Sequence, residues 1–188
     1  FDLGVHDWGG AIGFGVAGRR PDRVGRILVT NTGAFHSERI PARIALCRVP
    51  WLGRFLVQGL NGFAWPATWM AVERPLGPAA KAGFLAPYGT VARRRAVADF
   101  VADIPMEPDH PTSPTLAAVE SALPSLQGKP MLLCWGLRDF CFDRSFLAGF
   151  TTRFPGARQL LFPDAGHYVL EDAGEAAVVA AVDFFLEA

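Results

Sequence analysis

The chain has 188 residues, 51% of them hydrophobic, and its 18 basic residues balance 18 acidic ones. That length suits one domain with a substantial core rather than two, and an apolar content that includes 15 Phe and 5 Trp excludes a disordered chain. Neutrality argues against a nucleic-acid surface or a polybasic membrane anchor, and the apolar runs break well before the roughly 18 residues a membrane span needs.

In chain order, FDLGVH reads as a short buried strand, and GGAIGFGVAGRR follows it with helical length. Glycine inside a helix costs roughly 1 kcal/mol against alanine, so Gly9, Gly10, Gly13 and Gly15 imply a helix packed closely on a sheet. PDR ends that helix, and VGRILVTNT supplies a second strand reaching Asn31. Strand, helix and strand in about thirty residues make a βαβ unit, hence a parallel sheet. Residues 34–127 lose the β-branched alternation. They read as a helical insertion, with segments RIALCRV, RFLVQGLNGFAW and ARRRAVADFVADI cut apart by prolines. From 128 the α/β order resumes: KPMLLCWG a strand, SFLAGFTTRF a helix, ARQLLF a strand, PDAGHYVLED a loop and GEAAVVAAVDFFLEA a closing helix. The expected organisation is therefore a sheet-and-helix core of 1–33 and 128–188 interrupted by a helical insertion of 34–127.

The chain begins with Phe inside what reads as a strand, so the expectation is a chain whose N-terminal strands are missing, leaving its first strand as an open edge. Cys47, Cys134 and Cys141 show no metal-ligand spacing, and neither does any other group, so no metal and no cofactor are expected. Cys134 reads as a buried thiol, and the odd cysteine count suits a reducing cytoplasm.

Three residues follow strands at the carboxyl ends, where open α/β sheets place their sites. These are Asp7 after FDLGVH, Asp139 after KPMLLCWG and His167 after ARQLLF. By itself Asp7 could be a helix N-cap, Asp139 a turn residue and His167 a loop histidine. Their order, nucleophile then acid then base, favours catalysis. Gly9 and Gly10 permit a sharp turn at Asp7, and Trp8 is a costly residue for such a turn unless its ring faces a cavity. In DAGH, Ala and Gly leave room for the imidazole to reach a cleft. His6 is expected to point away from Asp7, as neighbours on a strand do. His36 and His110 have no partner pattern, and Arg93, Arg94 and Arg95 read as a solvated helix face.

The order nucleophile, helical insertion, acid and histidine resembles the α/β-hydrolase fold. VHDWGG is similar to the nucleophile elbow of its haloalkane dehalogenase-like branch, which uses Asp in place of Ser; Val5 stands where the esterase pattern has its first glycine. FLAPYGTVARRRAVADFVADIP, CWGLRDF and DAGHYVLED are similar to the cap, acid and histidine segments of that branch. NTGAFH, APY and CWGLRDF look most like its subgroup of olefin-biosynthesis β-lactone decarboxylases. The resemblance implies that 34–127 is a helical cap and that the substrate is a small hydrophobic electrophile. It further implies partner enzymes of a lipid or olefin pathway, while the charge balance and the short apolar runs leave no nucleic-acid partner and no membrane span expected. Some dehalogenases carry their acid after the strand that follows the elbow. Here that place holds Asn31, which leaves Asp139 as the acid.

In this reading Asp7 attacks carbon to form an ester, and His167, oriented by Asp139, activates the water that hydrolyses it. Asp7 is expected to be ionised near pH 7. The backbone N–H of Trp8 would serve the oxyanion, and its indole N–H the leaving group. Trp51, Trp65 and Trp69 could each add a donor or simply pack. Tyr88 could donate to an epoxide oxygen. An epoxide hydrolase and a non-catalytic α/β-hydrolase-fold binding protein are the alternatives.

Overall fold

The computed structural model describes residues 1–187. In chain order they form β1 (Leu3–Asp7), α1 (Trp8–Arg19), β2 (Ile27–Thr32), α2 (Ala42–Arg48), α3 (Leu52–Arg54), α4 (Ala64–Met70), α5 (Pro78–Leu85) and α6 (Arg95–Ala102). There follow α7 (Ser113–Ala122), β3 (Met131–Gly136), α8 (Arg144–Arg153), β4 (Arg158–Phe162), α9 (Val169–Asp172) and α10 (Glu175–Leu186). The chain divides into two compact units, one of Phe1–His36 with everything from Pro114 onward, the other of Ser37–Ser113.

In the first unit four parallel strands lie in the order β1-β2-β3-β4. Because strand side chains alternate, β2 and β3 feed two cores. Ile27, Val29, Met131, Leu133 and Trp135 meet Phe14 of α1 and Phe146 and Phe150 of α8. Leu28, Leu132 and Cys134 meet Val169 of α9 with Ala177 and Phe184 of α10. Helices on both faces explain why all six residues of each of these two strands are buried. Burying an aromatic side chain such as Phe14 or Phe150 contributes about 2–3 kcal/mol.

The glycines of α1 set its height above the sheet. A Cβ at Gly13 would stand 2.5 Å from Val5 Cγ1, and one at Gly10 would stand 2.9 Å from the Gly33 carbonyl and press on Thr32. A Cβ at Gly9 would meet nothing within 4 Å, so the close approach beside the elbow rests on Gly10 and not, as expected from sequence, on both.

The helical insertion forms a compact unit only over Ser37–Ser113, shorter than the expected 34–127. Val119, Leu123 and Leu126 recur at helical spacing and are buried in the first core, which draws α7 and the 3-10 turn Leu123–Leu126 to the sheet. Within Ser37–Ser113, Val57, Ala71, Val72, Ala98 and Val101 are buried, and Arg54 bridges to Asp99 at 2.5 Å. RFLVQGLNGFAW is not one helix. After α3 the backbone widens into a π-helix over Phe55–Gly59, and Asn61 at φ 56 ends it. The residue after it must be small, since a Cβ at Gly62 would lie 2.8 Å from the Leu56 carbonyl. PDAGHYVLED likewise is not all loop, for its last four residues form α9.

Among the described residues no helix is long and apolar enough to cross a membrane. The three cysteines are free, and burial pushes the Cys134 thiol up to about 11.

Candidate active site

At the end of β1 the backbone breaks its regular course. His6 pairs with Thr30 but Asp7 pairs with Thr32, so Asn31 is the extra residue of a bulge. Asp7 (φ 48) and Asn31 (φ 23) both adopt positive φ, a conformation that costs a non-glycine residue about 1–3 kcal/mol. The Thr32 hydroxyl donates to the Asp7 carbonyl and holds the turn. Asp7 stands at the N-cap position of α1, yet its side chain makes no capping bond. Its carboxylate instead accepts from the backbone N–H of Trp8, the group expected to serve an oxyanion.

The bulge turns the Asn31 side chain inward, where it is fully buried. Its amide donates to the Gly136 carbonyl (3.0 Å) and to Asp139 Oδ2 (2.9 Å), while its Oδ1 accepts from the Gly136 N–H (2.8 Å). Asp139 Oδ1 accepts from the Cys141 N–H at 2.7 Å. Asp139 Oδ2 also accepts from His167 Nδ1 at 2.8 Å. With Nδ1 as donor, Nε2 of the neutral imidazole is free to accept a proton. Gly136 makes this approach possible, since a Cβ there would lie 2.7 Å from the Ala165 carbonyl. The histidine loop is pinned from behind by buried Asp172, whose Oδ2 accepts from the Gly166 N–H at 2.7 Å.

Electrostatics follow from this burial. Desolvation would raise Asp139, but the hydrogen bond and charge of His167, with donors Cys141 and Asn31, outweigh it and hold the carboxyl below its usual value. Desolvation would lower His167, but Asp139 and then Asp7 outweigh it, so its pKa is raised. For Asp7 burial prevails, and the carboxyl is raised even though His167 pulls it down. The expectation of an ordinarily ionised Asp7 left out that burial. Asp7 and His167 each feel the other's charge, so an imidazolium at His167 favours a carboxylate at Asp7.

His6 is the residue whose placement was misjudged. Its ring lies 4.6 Å from that of His167 and 6.3 Å from that of Tyr168. Asp7 leaves the regular strand course at φ 48, opposite the bulge, so simple alternation no longer sends the two side chains to opposite faces. Phe142 packs near-parallel to His167 at 5.7 Å, and Trp135 Nε1 holds the Phe142 carbonyl at 2.9 Å. Of the expected substrate-contacting residues, Trp65 and Trp69 meet edge to face at 4.3 Å on α4 and are about half exposed. Tyr88 ends the 3-10 turn Ala86–Tyr88. All three belong to Ser37–Ser113. Arg94 and Arg95 bond within their own segment, to Thr90 and Asp99. Among the described residues no cluster of three or more His, Cys, Asp or Glu could hold a metal ion.

Comparison with known proteins gives a consistent picture. The family model for the alpha/beta hydrolase fold matches residues 1–174. A cis-3-alkyl-4-alkyloxetan-2-one decarboxylase of Xanthomonas campestris is 41% identical over 188 residues, covering 98% of this chain and 62% of its own. One of Shewanella oneidensis is 38% identical over 189 residues, covering 98% and 59%. The chain thus spans about 60% of the length of these curated relatives. Among solved structures, the haloalkane dehalogenase DbeA from Bradyrhizobium elkani superposes with a TM-score of 0.82 at 25% identity, covering 96% of this chain and 65% of its own.

Proposed function

The chain belongs to the alpha/beta hydrolase fold family, and on that premise we propose that it is an enzyme whose Asp7 carboxylate attacks an electrophilic carbon of a small hydrophobic substrate. The observation that carries this reading is the buried Asp139–His167 pair electrostatically linked to Asp7 at the strained elbow. A purely structural aspartate gains nothing from burial and strain, whereas a nucleophile stripped of water gains reactivity.

The substrate class proposed is a cis-3,4-dialkyl β-lactone, since both decarboxylases are 38–41% identical while a Mycobacterium tuberculosis haloalkane dehalogenase 2 is 28% identical. Asp7 would attack the alkyl-bearing ring carbon that is joined to the ring oxygen. That C–O bond breaks, leaving an Asp7 ester and a free carboxylate on the neighbouring carbon. The carboxylate then departs as carbon dioxide. Its bonding pair becomes the alkene, and the ester C–O bond breaks to return Asp7. No water is consumed. The His167 imidazolium would favour Asp7 leaving as a carboxylate, and Trp8 would donate to the opening ring oxygen. With a haloalkane the ester has no neighbouring carboxylate, so neutral His167 would have to activate water instead. This hydrolysis is the second reading. Trp65, Trp69 and Tyr88 would contact the alkyl chains if Ser37–Ser113 acts as a cap. We place the reaction in a reducing cytoplasm, beside whichever enzymes of an olefin pathway close the lactone ring.

Product analysis separates the readings. A dialkyl β-lactone should yield one alkene and one carbon dioxide per lactone consumed, with no β-hydroxy acid. A bromoalkane should yield bromide and an alcohol carrying solvent oxygen. Consumption of neither, with folded protein, would rule out both.

A further inference from the structure

We propose that His6 is a positioning residue, whose ring, packed against that of His167, holds the plane in which the catalytic imidazole presents Nε2. The inference rests on the reading of His167 given above. The tether can be traced atom by atom. His6 Nδ1 lies 3.2 Å from both the carbonyl and the hydroxyl of Thr30. That hydroxyl donates to the Val5 carbonyl at 2.9 Å, so its proton is spent. Nδ1 must therefore carry the proton and donate to the Thr30 carbonyl, which fixes the tautomer.

The tethered ring sits at a centroid distance of 4.6 Å from His167, tilted by 36°. Asp139 holds His167 at one atom only, Nδ1. The Cβ–Cγ bond and this one hydrogen bond fix where the ring sits, and rings packed on its faces limit how far it can tilt. His6 supplies one such wall beside Phe142. The titratable groups around His6 are His167, Asp139, Tyr168 and its chain neighbour Asp7. Burial first, and the charge of His167 second, lower His6 to about 4. It therefore stays neutral while His167 takes up a proton, and a neutral ring can face an imidazolium without repelling it.

Two substitutions in the full chain divide the tether from the wall. His6→Asn keeps an N–H near the position of Nδ1 but removes the ring. His6→Phe keeps a ring but removes the tether and cannot protonate. The first readout needs no substrate: the Nδ1 proton shared by His167 and Asp139 gives a downfield proton resonance. Its exchange with water should accelerate in His6→Asn and stay near the parent rate in His6→Phe. The second readout is the split between formation and release of the Asp7 ester, followed by mass spectrometry with a bromoalkane, whose ester needs His167 to activate water for its release. In His6→Asn formation should hold while release slows about 10- to 100-fold, the penalty of a misaligned catalytic group. His6→Phe should release normally. If His6→Asn does not fold, His6→Gln takes its place. A His6→Asn protein equal to its parent in both readouts, or a His6→Phe protein impaired as severely, overturns the proposal. If the parent forms no ester at Asp7 with the bromoalkane, the hydrolytic reading fails, and the resonance alone decides the role of His6.

Discussion

Asn31 offers the sharpest test of how the acid is held. Truncation to Ala deletes a charge-assisted bond to Asp139 and two bonds to the Gly136 peptide groups, all between 2.8 and 3.0 Å. A bond to a charged group contributes about 1.5–3 kcal/mol and a neutral one about 1 kcal/mol, so the loss should be roughly 4 kcal/mol. Asn also tolerates positive φ better than Ala, which adds to the cost. Typical native stability is about 5–15 kcal/mol, so Asn31→Ala should be severely weakened yet foldable. Urea denaturation at pH 7 should show a lower midpoint with an unchanged slope. In a double-mutant cycle with Asp139→Asn, the two positions should couple by about 2 kcal/mol. A total loss under about 1 kcal/mol, the size of an ordinary substitution, would refute the view that Asn31 carries Asp139.

Other outcomes follow from burial and charge. Burial raises Asp7 above its unfolded value, so the unfolded chain ionises first and stability is lost as pH climbs from 3.8 through the folded pKa. Asp7→Asn should therefore melt at a higher temperature than its parent at pH 7, with the gain shrinking toward pH 4; equal melting at pH 7 would contradict this. His6 shows the opposite dependence. Lowered from 6.5 to about 4 chiefly by burial, it takes up its proton first in the unfolded chain as pH falls, costing about 3 kcal/mol between those values. The stability difference between parent and His6→Phe should shift by about that amount from pH 7 to pH 4, and a constant difference would tell against it. Gly10→Ala should lose about 2 kcal/mol by overpacking despite alanine's better helix propensity, because its Cβ would press on Thr32 and the Gly33 carbonyl. Thermal melts would decide.

The α/β order was legible because each strand of the core is a short apolar run and each crossover helix has clear ends. Asp7, Asp139 and His167 stood out because all three follow such runs. Two partners of the site did not stand out. His6 obeys strand alternation on paper, but the positive φ of Asp7, opposite the bulge, ends that alternation where it matters. Asn31 was noticed only as the lack of a carboxylate. That an amide there could both donate to Asp139 and bracket Gly136 depends on strand pairing that no local pattern reveals. The compact insertion ends earlier than the expected 127 because the lack of β-branched alternation runs on to Gln127, while the apolar spacing of Val119, Leu123 and Leu126 assigns that stretch to the sheet. The π-helix over Phe55–Gly59 has no sequence signature of its own.

Peptide-level mass spectrometry of His167→Ala, exposed to whichever probe the parent consumes, addresses the chemistry most directly. A covalent alkyl mass on Asp7 that persists after a bromoalkane is removed, or a ring-opened lactone mass caught on Asp7 by quenching during turnover, is the predicted result. Unmodified Asp7 in a protein that still consumes the probe, or the added mass on another residue, would contradict it.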